Sequence, residues 1–299
     1  VRALVTGSRG FVGGHLLAHL AELGIEAVAT DRDDLDVTDA EAIAEAVARE
    51  LPDAIVHLAA VSSVAAARSD PALAFRVNFT GARNLLGAAS RHAPRARVLL
   101  VGSGEIYGPL APDSPPHAEG AALRPTSVYA RTKAAADLLG AAFAARGLDV
   151  VRARAFNHSG PGQSDGFALA SFARQLAEIE KGLRDPVVHT GNLESIRDYL
   201  DASDVVRAYA ALLDRRVPPG AYNVASGIGL SLGTLLERLR ARMGVQARVV
   251  VEPARLRPAD RSVGDAGRLR RATGWAPRIP LERMLDRLAD DWRTRVSAR

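Results

Sequence analysis

The residues that most constrain this chain are Thr6-Gly7-Ser8-Arg9-Gly10-Phe11-Val12-Gly13, set between a β-prone run at Arg2–Thr6 and a helical pattern beginning at Phe11. Glycines at this spacing suit a dinucleotide phosphate. Gly7 permits a tight turn, Gly10 lets a pyrophosphate approach the backbone, and Gly13 lets the helix pack closely. The helix N-terminus adds free N–H groups and a positive dipole. A glycine turn of purely structural use is the plain alternative, but a strand before and a helix after favour a dinucleotide site. Gly7, Arg9, Gly10, Phe11, Val12 and Gly13 are therefore candidate cofactor contacts.

The pattern that follows repeats the strand-then-helix beat. Candidate strands are Arg2–Thr6, Glu26–Thr30, Ala54–Leu58, Arg97–Gly102 and Asp149–Ala155, and candidate helices are Phe11–Leu23, Ala40–Glu50, Pro71–Arg91 and Val128–Arg146. Runs such as Ala3-Leu4-Val5-Thr6 and Ile55-Val56-His57-Leu58 lack polar alternation, as strands covered on both faces do. Past Phe156 the beat weakens. Gly and Pro cluster at Ser159–Gly166, and helices are predicted at Ala168–Lys181, Ala202–Leu213, Ser231–Met243 and from Leu281. The fold class is α/β: a Rossmann-type doubly wound parallel sheet followed by a smaller C-terminal α/β lobe.

Composition narrows the function. The 299 residues suit two domains, and 47% hydrophobic with 24% charged residues is an ordinary globular balance. The longest apolar candidate, Leu138–Ala145, ends at Arg146, far short of the ~20 residues a bilayer requires. No membrane partner is expected, and a chain that opens on a strand pattern reads as cytoplasmic. The absence of cysteine excludes disulfide scaffolds, thiolate metal sites and cysteine nucleophiles. His158 and His189 lack companions at metal-ligand spacing, so no metal is expected. Net charge is +5, but from Arg238 onward 16 arginines face 7 acids. With aromatics at 5% and not interleaved with the basic residues, an anionic small molecule is favoured over nucleic acid.

Lysine is the rare cation here: Lys133 and Lys181 are the whole complement among 39 basic residues. Lys133 falls in Tyr129-Ala130-Arg131-Thr132-Lys133, whose spacing of four puts phenol and amine on one helix face. A phenol titrates near ~10, so acting near neutrality calls for a neighbouring cation. Lys133 supplies one and can reach the nicotinamide ribose. Ser103, at the end of the fourth strand, can hydrogen-bond a substrate oxygen. Without a His/Asp pairing it is no nucleophile. Glu105 is either a second base or an exposed loop carboxylate. Asp31, ending the second strand, suits the adenosine ribose of NAD, whereas Arg9 and Arg32 suit the 2′-phosphate of NADP, so both cofactors stay open. Asp36 is either an adenine contact or an N-cap of the next helix. Asn157 can bind a phosphate or a sugar hydroxyl.

With these residues assembled, the chain resembles the extended short-chain dehydrogenases/reductases that modify nucleotide sugars. The match runs through the glycine turn, His57-Leu58-Ala59-Ala60, Asn78-Phe79-Thr80-Gly81, the Ser103 strand end, the Tyr129/Lys133 pair and Gly274-Trp275. Arg154–Gln163, Gly191–Asp198 and Leu256-Arg257-Pro258 resemble the GDP-mannose branch. The resemblance implies reduction of the 4-keto group of a GDP-4-keto-6-deoxy hexose. The alternatives are a 4,6-dehydratase with Glu105 as base, a 4-epimerase, or a non-catalytic dinucleotide sensor. It implies catalytic Ser103, Tyr129 and Lys133. Val37, Leu58, Ala59, Ala60 and Asn78 join the cofactor site, and Ser63, Asn157, Arg197 and Arg257 bind the nucleotide sugar. It further implies a homodimer. Residues 1–155 plus about 194–225 would hold the dinucleotide; about 156–193 plus 226–299 would hold the sugar nucleotide.

Overall fold

The computed structural model describes residues 1–253, 256 and 258–298. In chain order the first half contains β1 (Arg2–Thr6), α1 (Phe11–Glu22), β2 (Glu26–Thr30), α2 (Ala40–Glu50), β3 (Ala54–His57), α3 (Val64–Ser69), α4 (Pro71–Phe75), α5 (Ala82–His92), β4 (Arg97–Ser103), α6 (Val128–Ala145) and β5 (Val150–Ala155). The second half contains β6 (Asn157–Ser159), α7 (Ala168–Glu180), β7 (Val187–Thr190), β8 (Ile196–Asp201), α8 (Ala202–Leu212), β9 (Gly220–Val224), β10 (Gly229–Ser231), α9 (Leu232–Met243), β11 (Arg248–Val251), β12 (Arg261–Ser262), α10 (Gly267–Thr273) and α11 (Leu281–Ser297).

Six strands form one parallel sheet in the order β2-β1-β3-β4-β5-β9. The order in which strands are added reverses between β1 and β3, and ligands of such sheets sit beyond the strand ends at that switch. Successive strand residues serve opposite layers. Leu4, Ile55, Val98 and Val150 pack with α2 and α5. Val5, Val56, Leu99 and Val151 pack with α1 and α8. Both faces are apolar, which is why the sequence shows no polar alternation there. A separate core joins α7, α9 and α11 through Phe172, Leu176, Leu235, Leu239, Leu288 and Trp292.

Two segments differ from the sequence reading. The single helix expected over Pro71–Arg91 is instead α4, a wide π-helical turn at Arg76–Gly81, and α5. The extra residue in that turn directs Asn78 inward, where its amide engages Val61 and Thr132. In the C-terminal half, β6, β8, β10 and β12 join segments far apart in the chain, such as Asn157 with Tyr199 and Arg261 with Ile196. Local pattern carries no trace of such pairings.

Candidate active site

The ends of β1 and β3 meet at the glycine turn. Gly7 has φ +72, and a Cβ there would lie 2.7 Å from the Ala59 nitrogen, so the turn closes directly on the loop after β3. At Gly13 a Cβ would lie 2.4 Å from the Ser8 carbonyl oxygen, which seats α1 against the turn's own backbone. The first-turn amides of α1 have no intrahelical acceptor and suit a pyrophosphate. Below the turn, Thr6 Oγ1 meets His57 Nδ1 at 2.8 Å, and the Leu58 amide donates to the Thr6 carbonyl.

A cleft of about 1490 Å³ runs from this turn into the C-terminal lobe. That exceeds the space one drug-sized ligand takes, roughly 300–1,000 Å³, and suits two extended ligands end to end. Gly7, Arg9, Gly10, Phe11, Val12, Gly13, Asp31, Arg32, Asp36, Val37, Leu58, Ala59 and Ala60 line one end. The residues present therefore fit a dinucleotide. Asn78 is buried behind that wall and binds Val61 and Thr132, a clasp between the β3 loop and α6. Asp36 accepts from the Thr38 amide and hydroxyl, which hold its carboxyl below the usual range. The N-cap foreseen for Asp36 belongs to Asp39, which accepts from Glu41 and Ala42, so that alternative falls.

Midway, Ser103, Glu105, Tyr129 and Lys133 all line the cleft. Ser127 caps α6 by accepting from the Ala130 amide, and the helix then presents Tyr129 and Lys133. Burial pushes the Tyr129 phenol up to about 12, opposed by its hydrogen bond with Ser103, while the Glu105 charge pushes it the same way as burial. Lys133 Nζ donates to the Val101 carbonyl at 2.9 Å, and burial lowers its amine to about 8. The expectation that the Lys133 charge depresses the phenol therefore does not describe this site. Desolvation of the buried phenol dominates, and the Lys133 ammonium is engaged by the Val101 carbonyl.

The far end belongs to the C-terminal lobe. Asn157, Arg197 and Ser63 all line the cleft, with Ser63 also capping α3 through the Ala66 amide. Arg197 is paired: its Nη2 lies 2.7 Å from Asp260 Oδ1. Asp260 stands 63 positions away, and only the β12–β8 pairing brings the two together. Arg257 lies outside the described residues. Arg154, the first residue of the segment that resembles the GDP-mannose branch, does not face the cleft. It is buried against Asp137, with its remaining donors on the Tyr107 hydroxyl and the Glu119 carbonyl. Sequence reasoning passed over Arg174 and missed that His189 lines the cleft. His189 lies 2.5 Å from Glu252 across the β7–β11 pair. Among the described residues no cluster suits a metal ion, and no helix is long and apolar enough to cross a membrane.

Comparison with known proteins matches residues 3–225 to the NAD dependent epimerase/dehydratase family. GDP-6-deoxy-D-mannose reductase of Pseudomonas aeruginosa is 37% identical over 99% of this chain and 98% of its own length. Among solved structures, RMD from Pseudomonas aeruginosa complexed with NADPH superposes with a TM-score of 0.90 at 35% identity, covering 98% of this chain and 99% of that one. The UDP-glucose 4-epimerase of Thermus thermophilus, in complex with NAD, gives 0.88 at 28% identity, over 98% and 99%.

Proposed function

Because this chain belongs to the NAD dependent epimerase/dehydratase family and is thus an NAD(P)-dependent oxidoreductase of the extended short-chain dehydrogenase/reductase type, we propose that it reduces the 4-keto group of a GDP-4-keto-6-deoxy hexose. The observation that carries this reading is the buried Tyr129 phenol, hydrogen-bonded to Ser103, with Lys133 four residues on in the same cleft. When bound, the reduced nicotinamide supplies the hydride that C4 takes up. Tyr129 gives its proton to the carbonyl oxygen, and Ser103 hydrogen-bonds that oxygen as its charge grows. A phenol raised to about 12 is held protonated, the state a proton donor requires. Lys133 holds the nicotinamide ribose and returns the proton to Tyr129. Asn157, Arg197 and Arg257 grip the diphosphate and nucleoside, which fixes the sugar relative to Tyr129. The full-length likeness to a GDP-6-deoxy-D-mannose reductase supports the choice of substrate.

In this proposal residues 1–155 with about 194–225 bind the dinucleotide, and about 156–193 with 226–299 bind the nucleotide sugar. The active unit is a cytoplasmic homodimer. Leu138, 59% exposed on the alanine-rich α6, supports a second copy packing there, and light scattering on the purified chain tests it. A 4,6-dehydratase is the second reading, favoured by Glu105 lining the cleft close enough to raise the Tyr129 phenol. Mixing the protein with reduced cofactor and GDP-4-keto-6-deoxymannose separates the two. Stoichiometric cofactor oxidation supports the reductase, and its absence rejects it. Conversion of GDP-mannose without net cofactor use establishes the dehydratase instead.

A further inference from the structure

Two elements bear the reacting groups, and a second set of bonds joins them behind the cleft. Ser103 closes β4 and leads into one 3₁₀ turn, Gly104–Tyr107. Tyr129 and Lys133 stand on α6, with Asp137 one turn farther along. The Tyr129–Ser103 hydrogen bond is the tie on the cleft side. Behind it lies Arg154 of β5. Its Nε and Nη2 donate to the two Asp137 oxygens at 2.9 and 2.7 Å, and its Nη1 donates to the Tyr107 hydroxyl at 2.8 Å. That hydroxyl donates in turn to Asn223 Oδ1 on β9 at 2.7 Å. Arg154, Asp137, Tyr107 and Asn223 are all buried, and none lines the cleft. Asp137 Oδ1 would lie 4.0 Å from a Cβ at Gly102, one residue before Ser103.

We infer that Arg154 is a positioning residue, which sets the Tyr129 phenol against the Ser103 hydroxyl by holding α6 and the turn after β4 in one register. A guanidinium is a planar fork, so donors sent to both Asp137 oxygens fix the angle of the one left for Tyr107. Asp137 already has a cation in Arg152, 2.8 Å away, so Arg154 is not needed to balance its charge. Burying such ions stabilises a fold little more than apolar packing would. What the arrangement adds is direction. Reaction between fixed groups is sensitive to it, since a displacement near ~1 Å can cost on the order of 100-fold in rate. The inference rests on Tyr129 and Ser103 as the reacting pair and not on which sugar nucleotide is bound.

Two variants of the full-length chain test it, each assayed well below its melting temperature. Tyr107→Phe removes one hydroxyl and keeps the Arg154–Asp137 pair. Arg154→Lys keeps the charge, but its single ammonium cannot serve both Asp137 and Tyr107. On whichever of the two reactions above the wild type performs, kcat should fall about tenfold in Tyr107→Phe and further in Arg154→Lys, with KM and the affinity for reduced cofactor within about twofold of wild type. The double variant should lose no more than Arg154→Lys alone, because both changes break the same bond. Hydrogen exchange without ligand reads the coupling apart from any reaction. There Arg154→Lys should speed the amides of 104–108 and of α6 by about tenfold and leave α1 as it was. An unchanged kcat, a rise in KM in place of the fall in kcat, losses that add in the double variant, or faster exchange on one side alone overturns the inference. A wild type that turns over neither sugar removes instead the function proposed above, and the exchange result then decides this inference by itself.

Discussion

Replacing Lys133 by Met should make the protein more stable and nearly inactive. Lys133 is buried, with its ammonium on the Val101 carbonyl and its amine lowered from 10.5 to about 8 by desolvation. At ~1.4 kcal/mol per pH unit, holding the charged form inside costs about 3 kcal/mol relative to the unfolded chain. Met fills similar space without the charge, but leaves the Val101 carbonyl short of a donor, a cost of ~1–3 kcal/mol. A net gain of about 0–2 kcal/mol at pH 7 follows. The pH dependence is diagnostic. Between about 8 and 10.5 the folded lysine is neutral while the unfolded one still binds its proton. The wild type therefore gains stability relative to the variant across that window, and the advantage of Lys133→Met fades by its upper end. Urea denaturation of both chains at pH 7 and pH 10 measures it. A variant less stable at pH 7, or a difference that does not change with pH, refutes the reasoning. Reductase activity of the variant should fall at least about 100-fold.

Tyr129→Phe should lower kcat by about 100- to 10,000-fold with little change in KM or melting temperature, since one oxygen is removed from an otherwise retained ring. In the wild type, kcat for reduction should fall as pH rises through about 8, where Lys133 loses its proton, while the phenol stays protonated; a kcat flat from pH 7 to 10 contradicts this. Gly13→Ala should cost about 1–3 kcal/mol, because the new methyl meets two backbone carbonyls within 2.5 Å, whereas Gly14→Ala meets nothing and should gain about 0.5–1 kcal/mol; thermal shifts of opposite sign are the check. Asp137→Asn strands Arg152 and Arg154, both bonded to it in the interior, and should destabilise by about 3–5 kcal/mol in denaturant titrations.

The nucleotide-binding half was legible because each of its signals is local. A glycine turn, an apolar strand and a tyrosine–lysine spacing all lie within a few residues, and five of the sheet's six strands, the cleft wall and α6 follow from them; β9 is not among the candidate strands. What stayed hidden depends on distant partners. Arg197 reads as a free cation until β12 brings Asp260 beside it. Nothing local marks Arg154 as the buried partner of Asp137 on α6, and Asp36 competes with Asp39 for a cap that only hydrogen-bond geometry assigns. The π turn at Arg76–Gly81 is invisible to a helical period because it differs from one by a single residue. Part of the basic character of the C-terminal lobe is absorbed in pairs such as Arg242–Asp286 and Arg293–Glu180.

A sheet clothed in hydrocarbon on both sides has no polarity with which to fix the sliding of one strand past another. Moving β1 by one position would trade Leu4 for Val5 and bury both again. The alignment must then be enforced where the strands end: by Gly7 closing on Ala59, by Thr6 reaching His57, and by the Asp31 carboxylate taking the Arg9 amide. Gly7, Arg9, Asp31 and Ala59 also border the cofactor cleft. Folding and ligand recognition thus share one set of fasteners, and lesions along this rim should scramble strand assembly as readily as they weaken binding.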